Sequence, residues 1–179
     1  MRGWNGEGVD KNSNSRTHNI YKDLSEVNSN NYDTILLMDV LEHVEEDREF
    51  LSTALSKLKP DGYCIITVPA FQFLFSEHDL FLDHYRRYEL HNLVKLTPCN
   101  GYSIQKVHYF FFTLFLLRLV QFFMKNKSKV TNWSHPEESL LTKIITNILN
   151  FDYKVCRVLS ILNIKIPGLS CIMILKRTT

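Results

Sequence analysis

The stretch Tyr32-Asp33-Thr34-Ile35-Leu36-Leu37-Met38-Asp39 constrains this chain most. The apolar run from Thr34 to Met38 ends on a carboxylate and predicts a strand covered on both faces, as in a parallel sheet flanked by helices. From Glu45 to Leu58 the spacing changes: Phe50, Leu51, Ala54, Leu55 and Leu58 recur at helical intervals. Glu46, Asp47 and Glu49 fall in the first turn, where acids suit the positive end of the helix dipole. Lys59-Pro60-Asp61-Gly62 ends the helix and turns the chain, and Tyr63 to Val68 forms a second apolar strand closed by Pro69. Strand, helix, turn and strand make a βαβ unit, for which a right-handed parallel crossover is the rule.

Further along, Ala70 to Tyr88 is aromatic and rich in His and Arg, and Glu89 to Leu96 reads as a short helix. Tyr102 to Tyr109 reads as a strand, Phe110 to Met124 as a Phe-rich helix broken by Arg118 and Gln121, Ser139 to Leu162 as a long amphipathic helix, and Ser170 to Leu175 as a last strand. With 179 residues, 45% of them hydrophobic, the chain can bury a core without staples, and one domain is expected. We divide it into a polar segment 1–31, a central part 32–109 and a C-terminal part 110–179. A net charge of +2 gives no argument for nucleic-acid binding. Cys64, Cys99, Cys156 and Cys171 are far apart and form no C-x-x-C pair, which predicts reduced thiols in a cytoplasmic protein.

Two constellations carry chemistry. Asp39, Glu42 and His43 follow a buried strand, and ligands of open α/β sheets sit beyond the carboxyl ends of strands; alternatively, Asp39 and Glu42 cap the next helix. The second is Glu77-His78-Asp79 with Asp83-His84-Tyr85-Arg86-Arg87-Tyr88. There His78 or His84 could take a proton from a hydroxyl acceptor. Arg86 and Arg87, beside Tyr88, could hold a carboxylate or phosphate. The other readings of this stretch are a solvated loop and a metal site; no metal is expected.

The run "YDTILLMDVLEHVEEDREFLSTALSKLKPDGYCIITVPA" resembles the second half of a class I S-adenosylmethionine-dependent methyltransferase, with its strand ending in D-x-L-E-H and a later strand ending in V-P. "SEHDLFLDHYRRYELHNLVKL" is similar to a loop of one bacterial subgroup, and "NGYSIQKVHYF" and "IPGLSCIMILKR" are similar to the sixth and last strands. The resemblance implies an α/β, Rossmann-like class I methyltransferase sheet flanked by helices, with S-adenosylmethionine as cofactor. It places Asp39 near the methionine end of the cofactor, with Glu42 and His43 shaping that wall. The alignment puts Gly8-Val9-Asp10 at the end of a strand, so that Asp10 would accept from the ribose hydroxyls and Asp23 would lie near the adenine. The family's first strand and glycine-rich loop find no counterpart ahead of Gly8, so an N-terminally truncated chain is expected. The reading is methyl transfer to a small, lipid-linked or saccharide-related acceptor; a catalytically inactive binding module is the alternative. The Phe-rich helix is either core or a contact with a membrane surface through 110–124, which would make the protein peripheral to the inner face of the membrane.

Overall fold

The computed structural model describes residues 7–9, 19–21, 24–27, 31–123, 140–161, 164 and 166–178. The βαβ unit forms as the periodicity predicts. Strand β3 (Tyr32–Met38) and strand β4 (Leu58–Pro69) are parallel neighbours joined by helix α1 (Asp47–Ser56). Two short strands, β1 (Glu7–Val9) and β2 (Asn19–Tyr21), form a separate parallel pair. After β4 come α2 (Glu77–Phe81), α3 (Leu90–Leu96), β5 (Tyr102–Phe110), α4 (Phe112–Phe123), α5 (Leu140–Ile161) and β6 (Ser170–Arg177). The main sheet has the order β3-β4-β6-β5. Ser170 stands opposite Pro69, so β6 starts where β4 ends and runs back antiparallel to it. Gly168 is needed at that entry, because a Cβ there would overlap the backbone of Phe110.

One face of the sheet makes the core. Cys64, Ile66 and Val68 of β4 and Cys171, Met173 and Leu175 of β6 are buried with Leu51, Ala54 and Leu55 of α1 and Leu90 and Leu93 of α3. Burying each Leu contributes about 1.5–3 kcal/mol, and Leu51→Ala would cost about 3 kcal/mol through the cavity it leaves.

Two expectations need correction. Strand β3 is covered on one face only: Leu37 is buried, while Leu36 and Met38, pointing the other way, are 60% and 53% exposed. An unbroken apolar run therefore marks apolar side chains on both faces of this strand and not cover on both. Lys59-Pro60-Asp61-Gly62 lies within β4 and does not precede it. Tyr32 pairs with Leu58 and Thr34 with Tyr63, so β4 bulges outward there. Asp61 adopts a positive φ of 63° at the bend. Gly62 is required at its base, where a Cβ would meet the Lys59 carbonyl oxygen at 2.9 Å. The turn chemistry was legible; its inclusion in the strand was not.

Candidate active site

The site is built where β3 and β4 end. Asp39 leaves β3 with a positive φ of 51°, a conformation Asp tolerates better than most residues. Its N–H is shared between the Thr67 carbonyl oxygen at 3.0 Å and Thr67 Oγ1 at 3.2 Å, and the Thr67 hydroxyl donates to Asp39 Oδ1 at 3.2 Å. Thr67 pairs with Met38 across the sheet, so the strand register delivers this anchor. The Asp39 residue is fixed yet exposed.

A single 3-10 turn, Leu41–His43, follows. Leu41 is fully buried and carries Glu42 inside with it, at 1% exposure. Glu42 Oε2 is buried with no hydrogen-bond partner. Burial pushes the Glu42 carboxyl up to about 7; its backbone hydrogen bond opposes this and the Asp39 charge adds to it. His43 next to it is exposed.

The segment 84–88 is bonded to this turn through Tyr85 and Tyr88 and to the residues that follow it through Arg86. The Tyr85 N–H donates to the Glu42 carbonyl at 2.7 Å. Arg86 Nη2 donates to the Glu45 carbonyl at 2.6 Å, and Nη1 is 3.2 Å from Asp47 Oδ2. Tyr88 Oη lies 2.9 Å from Asp47 Oδ2 and 3.1 Å from the Leu41 carbonyl oxygen. Beneath the segment, buried Asp79 organises α2. Its Oδ2 accepts from the Ser76 N–H and hydroxyl, each at 2.9 Å, in a capping box; its Oδ1 is 2.7 Å from Arg87 Nε and 3.2 Å from His84 Nδ1. Burial alone would raise the Asp79 carboxyl, but Arg87, Ser76 and His84 together hold it below the ordinary range. An ionised Asp79 can only accept, so His84 Nδ1 carries its proton and Nε2 keeps a lone pair. Burial, against the pull of Asp79, holds the imidazole below its ordinary pKa and hence neutral at pH 7.

Of the residues singled out in the sequence, Glu42, His43 and His84 converge. Their ligating atoms lie within 4.8 Å of one another, and the two imidazoles meet edge to face at 4.6 Å. His78 is exposed on α2. Arg86, Arg87 and Tyr88 point inward, and the side chain of Arg87 is 8% exposed. Asp10 and Asp23 lie outside the described residues, although β1 ends at Val9, immediately before Asp10. Sequence reasoning missed three anchors: Thr67, Asp47 and the organising role of Asp79. Asp79, His84 and Arg87 are close enough in sequence to suggest one cluster; nothing local marked Thr67.

Comparison with known proteins agrees with this architecture. The family model described as a methyltransferase domain matches residues 1–123. Among solved structures, a SAM-dependent methyltransferase from Archaeoglobus fulgidus is similar, with a TM-score of 0.54 and 20% identity over 96% of this chain and 75% of that one. The plantazolicin methyltransferase BpumL, solved in complex with SAH, gives a TM-score of 0.52 and 14% identity over 97% of this chain and 66% of that one. No curated protein matches significantly. The solved structures share the fold, a Rossmann-like sheet flanked by helices; the family match covers most of the chain and includes the whole β3–β4 site. This chain belongs to the methyltransferase-domain family.

Proposed function

We propose that this chain transfers a methyl group from S-adenosylmethionine to a small acceptor at the carboxyl ends of β3 and β4. The observation that carries the reading is the exposed Asp39 carboxylate, anchored by Thr67 at the end of β3 beside the buried carboxyl of Glu42. An exposed carboxylate at a strand end suits a ligand that bears a sulfonium and an ammonium group. Family membership and the ligands named for the relatives support the same cofactor. The cofactor supplies an already activated methyl group, so the protein's contribution is chiefly orientation.

In this reading Asp39 holds the cationic end of the cofactor, and Glu42 and His43 form the adjoining wall. Asp10 and Asp23 take the ribose and adenine ends. Arg86, Arg87 and Tyr88 act as positioning residues that tie the 84–88 segment to Glu45, to Asp79 and to the Leu41 carbonyl oxygen. A ring nitrogen of His84 lies within 4.8 Å of the ligating atoms of Glu42 and His43, whereas His78 is exposed on α2. Calorimetric titration with S-adenosylmethionine tests the assignment. Asp39→Ala should weaken binding about tenfold or more, roughly 1.4 kcal/mol, and His84→Ala should weaken it less. Equal affinities in the two variants would remove the basis for these roles.

A second reading concerns where the acceptor is met. Leu117, Val120, Phe122 and Phe123 of α4 are exposed, as are Leu80 and Phe81 of α2. Helix α4 touches the segment that leads into α2: Arg118 Nη2 donates to Ser76 Oγ at 2.6 Å, and Phe122 meets Phe73 with ring centroids 6.0 Å apart. Among the described residues no helix is long and apolar enough to cross a membrane. We propose that this apolar surface rests on lipid and that the acceptor is lipid-linked.

A further inference from the structure

We propose that Glu42, His43 and His84 bind a divalent transition-metal cation at the carboxyl end of β3. Two imidazoles and one carboxylate form the donor set that zinc and its first-row neighbours prefer; calcium and magnesium prefer oxygen donors alone. The three ligating groups stand within 4.8 Å of one another, and no other such group occurs among the described residues. Donors about 2.1 Å from a tetrahedral cation lie about 3.4 Å apart. The exposed His43 side chain has room to rotate toward such a separation.

Two further observations point to a ligand here. Glu42 Oε2 is buried without a partner, which is costly for a carboxylate unless a cation or donor meets it. A cation between Glu42 and the two imidazoles would supply the missing charge. The second observation is the support behind His84. A metal-bound imidazole usually donates its other N–H to a carboxylate, which fixes the ring and its tautomer. Asp79 stands in that relation to His84 Nδ1 at 3.2 Å, leaving Nε2 free to ligate. Asp79 is itself held by Arg87 and Ser76, so the ring is oriented before any cation arrives.

Three protein ligands leave at least one coordination position for water or another oxygen, as in sites that do chemistry. Resting on the methyl-transfer reading, that position would take a hydroxyl acceptor. The hydroxyl would lose its proton to bulk water, and its oxygen would keep the electron pair and stay on the cation.

Cobalt(II) titration of the untagged, chelator-treated full chain tests the proposal, with visible d–d absorption as the readout. We expect one equivalent to bind and zinc(II) to displace it. His43→Ala, at an exposed position, should abolish stoichiometric binding without loss of far-ultraviolet circular dichroism. Asp79→Asn should weaken binding about 10–100-fold, as loss of an orienting partner does. Absence of stoichiometric binding in the wild type, or unchanged binding in His43→Ala, would overturn the site. S-adenosylmethionine affinity measured on the same samples reports the methyl-transfer reading separately. A chain that binds cofactor but no cobalt refutes only the metal; one that binds cobalt but no cofactor supports the metal alone.

Discussion

Arg87 Nε lies 2.7 Å from Asp79 Oδ1, in an ion pair whose two side chains are 8% and 0% exposed. Breaking such a pair leaves an uncompensated buried charge. Asp79→Ala should therefore destabilise the chain by about 3 kcal/mol or more. Replacing both residues with apolar ones of similar volume should cost much less than Asp79→Ala alone. Urea denaturation with unchanged slope is the measure; equal losses in the single and double variants would show that packing, not charge, holds this segment.

Tyr88 connects the same segment to the first turn of α1. Its buried hydroxyl is within 2.9 Å of Asp47 and 3.1 Å of the Leu41 carbonyl oxygen. Burial, then the Asp47 bond and charge, push the phenol well above its ordinary pKa, so it remains a neutral donor. Tyr88→Phe keeps the ring and removes the donor. A loss of about 1–3 kcal/mol is expected, together with greater protease sensitivity at 82–86. A variant as stable as the wild type would mean that the hydroxyl is dispensable.

His108 on β5 gives a pH signature. Its Nδ1 is buried without a partner, and burial, aided by Lys106, holds its pKa below 6.5. Below that value the unfolded chain takes up a proton that the folded chain resists. Stability should therefore be level above pH 6.5 with respect to this group and fall as pH drops below it. In His108→Phe this part of the acid-side slope should vanish. Thermal melts of both proteins between pH 5 and pH 8 would show it as a wild-type stability that falls relative to the variant toward low pH.

The α4 surface can be tested by flotation with anionic liposomes. The wild type should rise with the vesicles, and a Leu117→Glu, Phe123→Glu variant should stay below. Both positions are exposed, 57% and 74%, so the substitutions should leave the fold intact. Wild-type protein that remains out of the lipid layer at low salt would exclude the lipid reading.

Much of this was legible because it is local. The spacing of Leu51, Ala54 and Leu55 marked the buried face of α1, and Asp39 to His43 could be placed at a strand end from the pattern alone. What depended on tertiary partners was hidden. Sequence chemistry offers the Arg86 and Arg87 guanidinium groups to an acceptor, but the fold turns them toward Asp47 and Asp79. On the Phe-rich helix α4, Phe115 packs on Phe71 with centroids 5.1 Å apart and is buried, while Leu116, Leu117, Val120, Phe122 and Phe123 are exposed. Periodicity shows that a helix has two faces and leaves open which one meets the protein.

The exposure of Met38 makes the site sensitive to oxidants. Its thioether is 4.0 Å from Thr67 Oγ1, the hydroxyl that anchors Asp39. Peroxide would convert that sulfur to a sulfoxide, whose oxygen is a far stronger hydrogen-bond acceptor. The Thr67 proton would then be drawn from Asp39 toward its own neighbour across the sheet, loosening the carboxylate with no change at any residue of the Leu41–His43 turn. Cofactor affinity should fall on mild peroxide treatment and return with methionine sulfoxide reductase, and Met38→Leu should be indifferent to both. An aged preparation would thus resemble an Asp39 variant while its sequence remained intact.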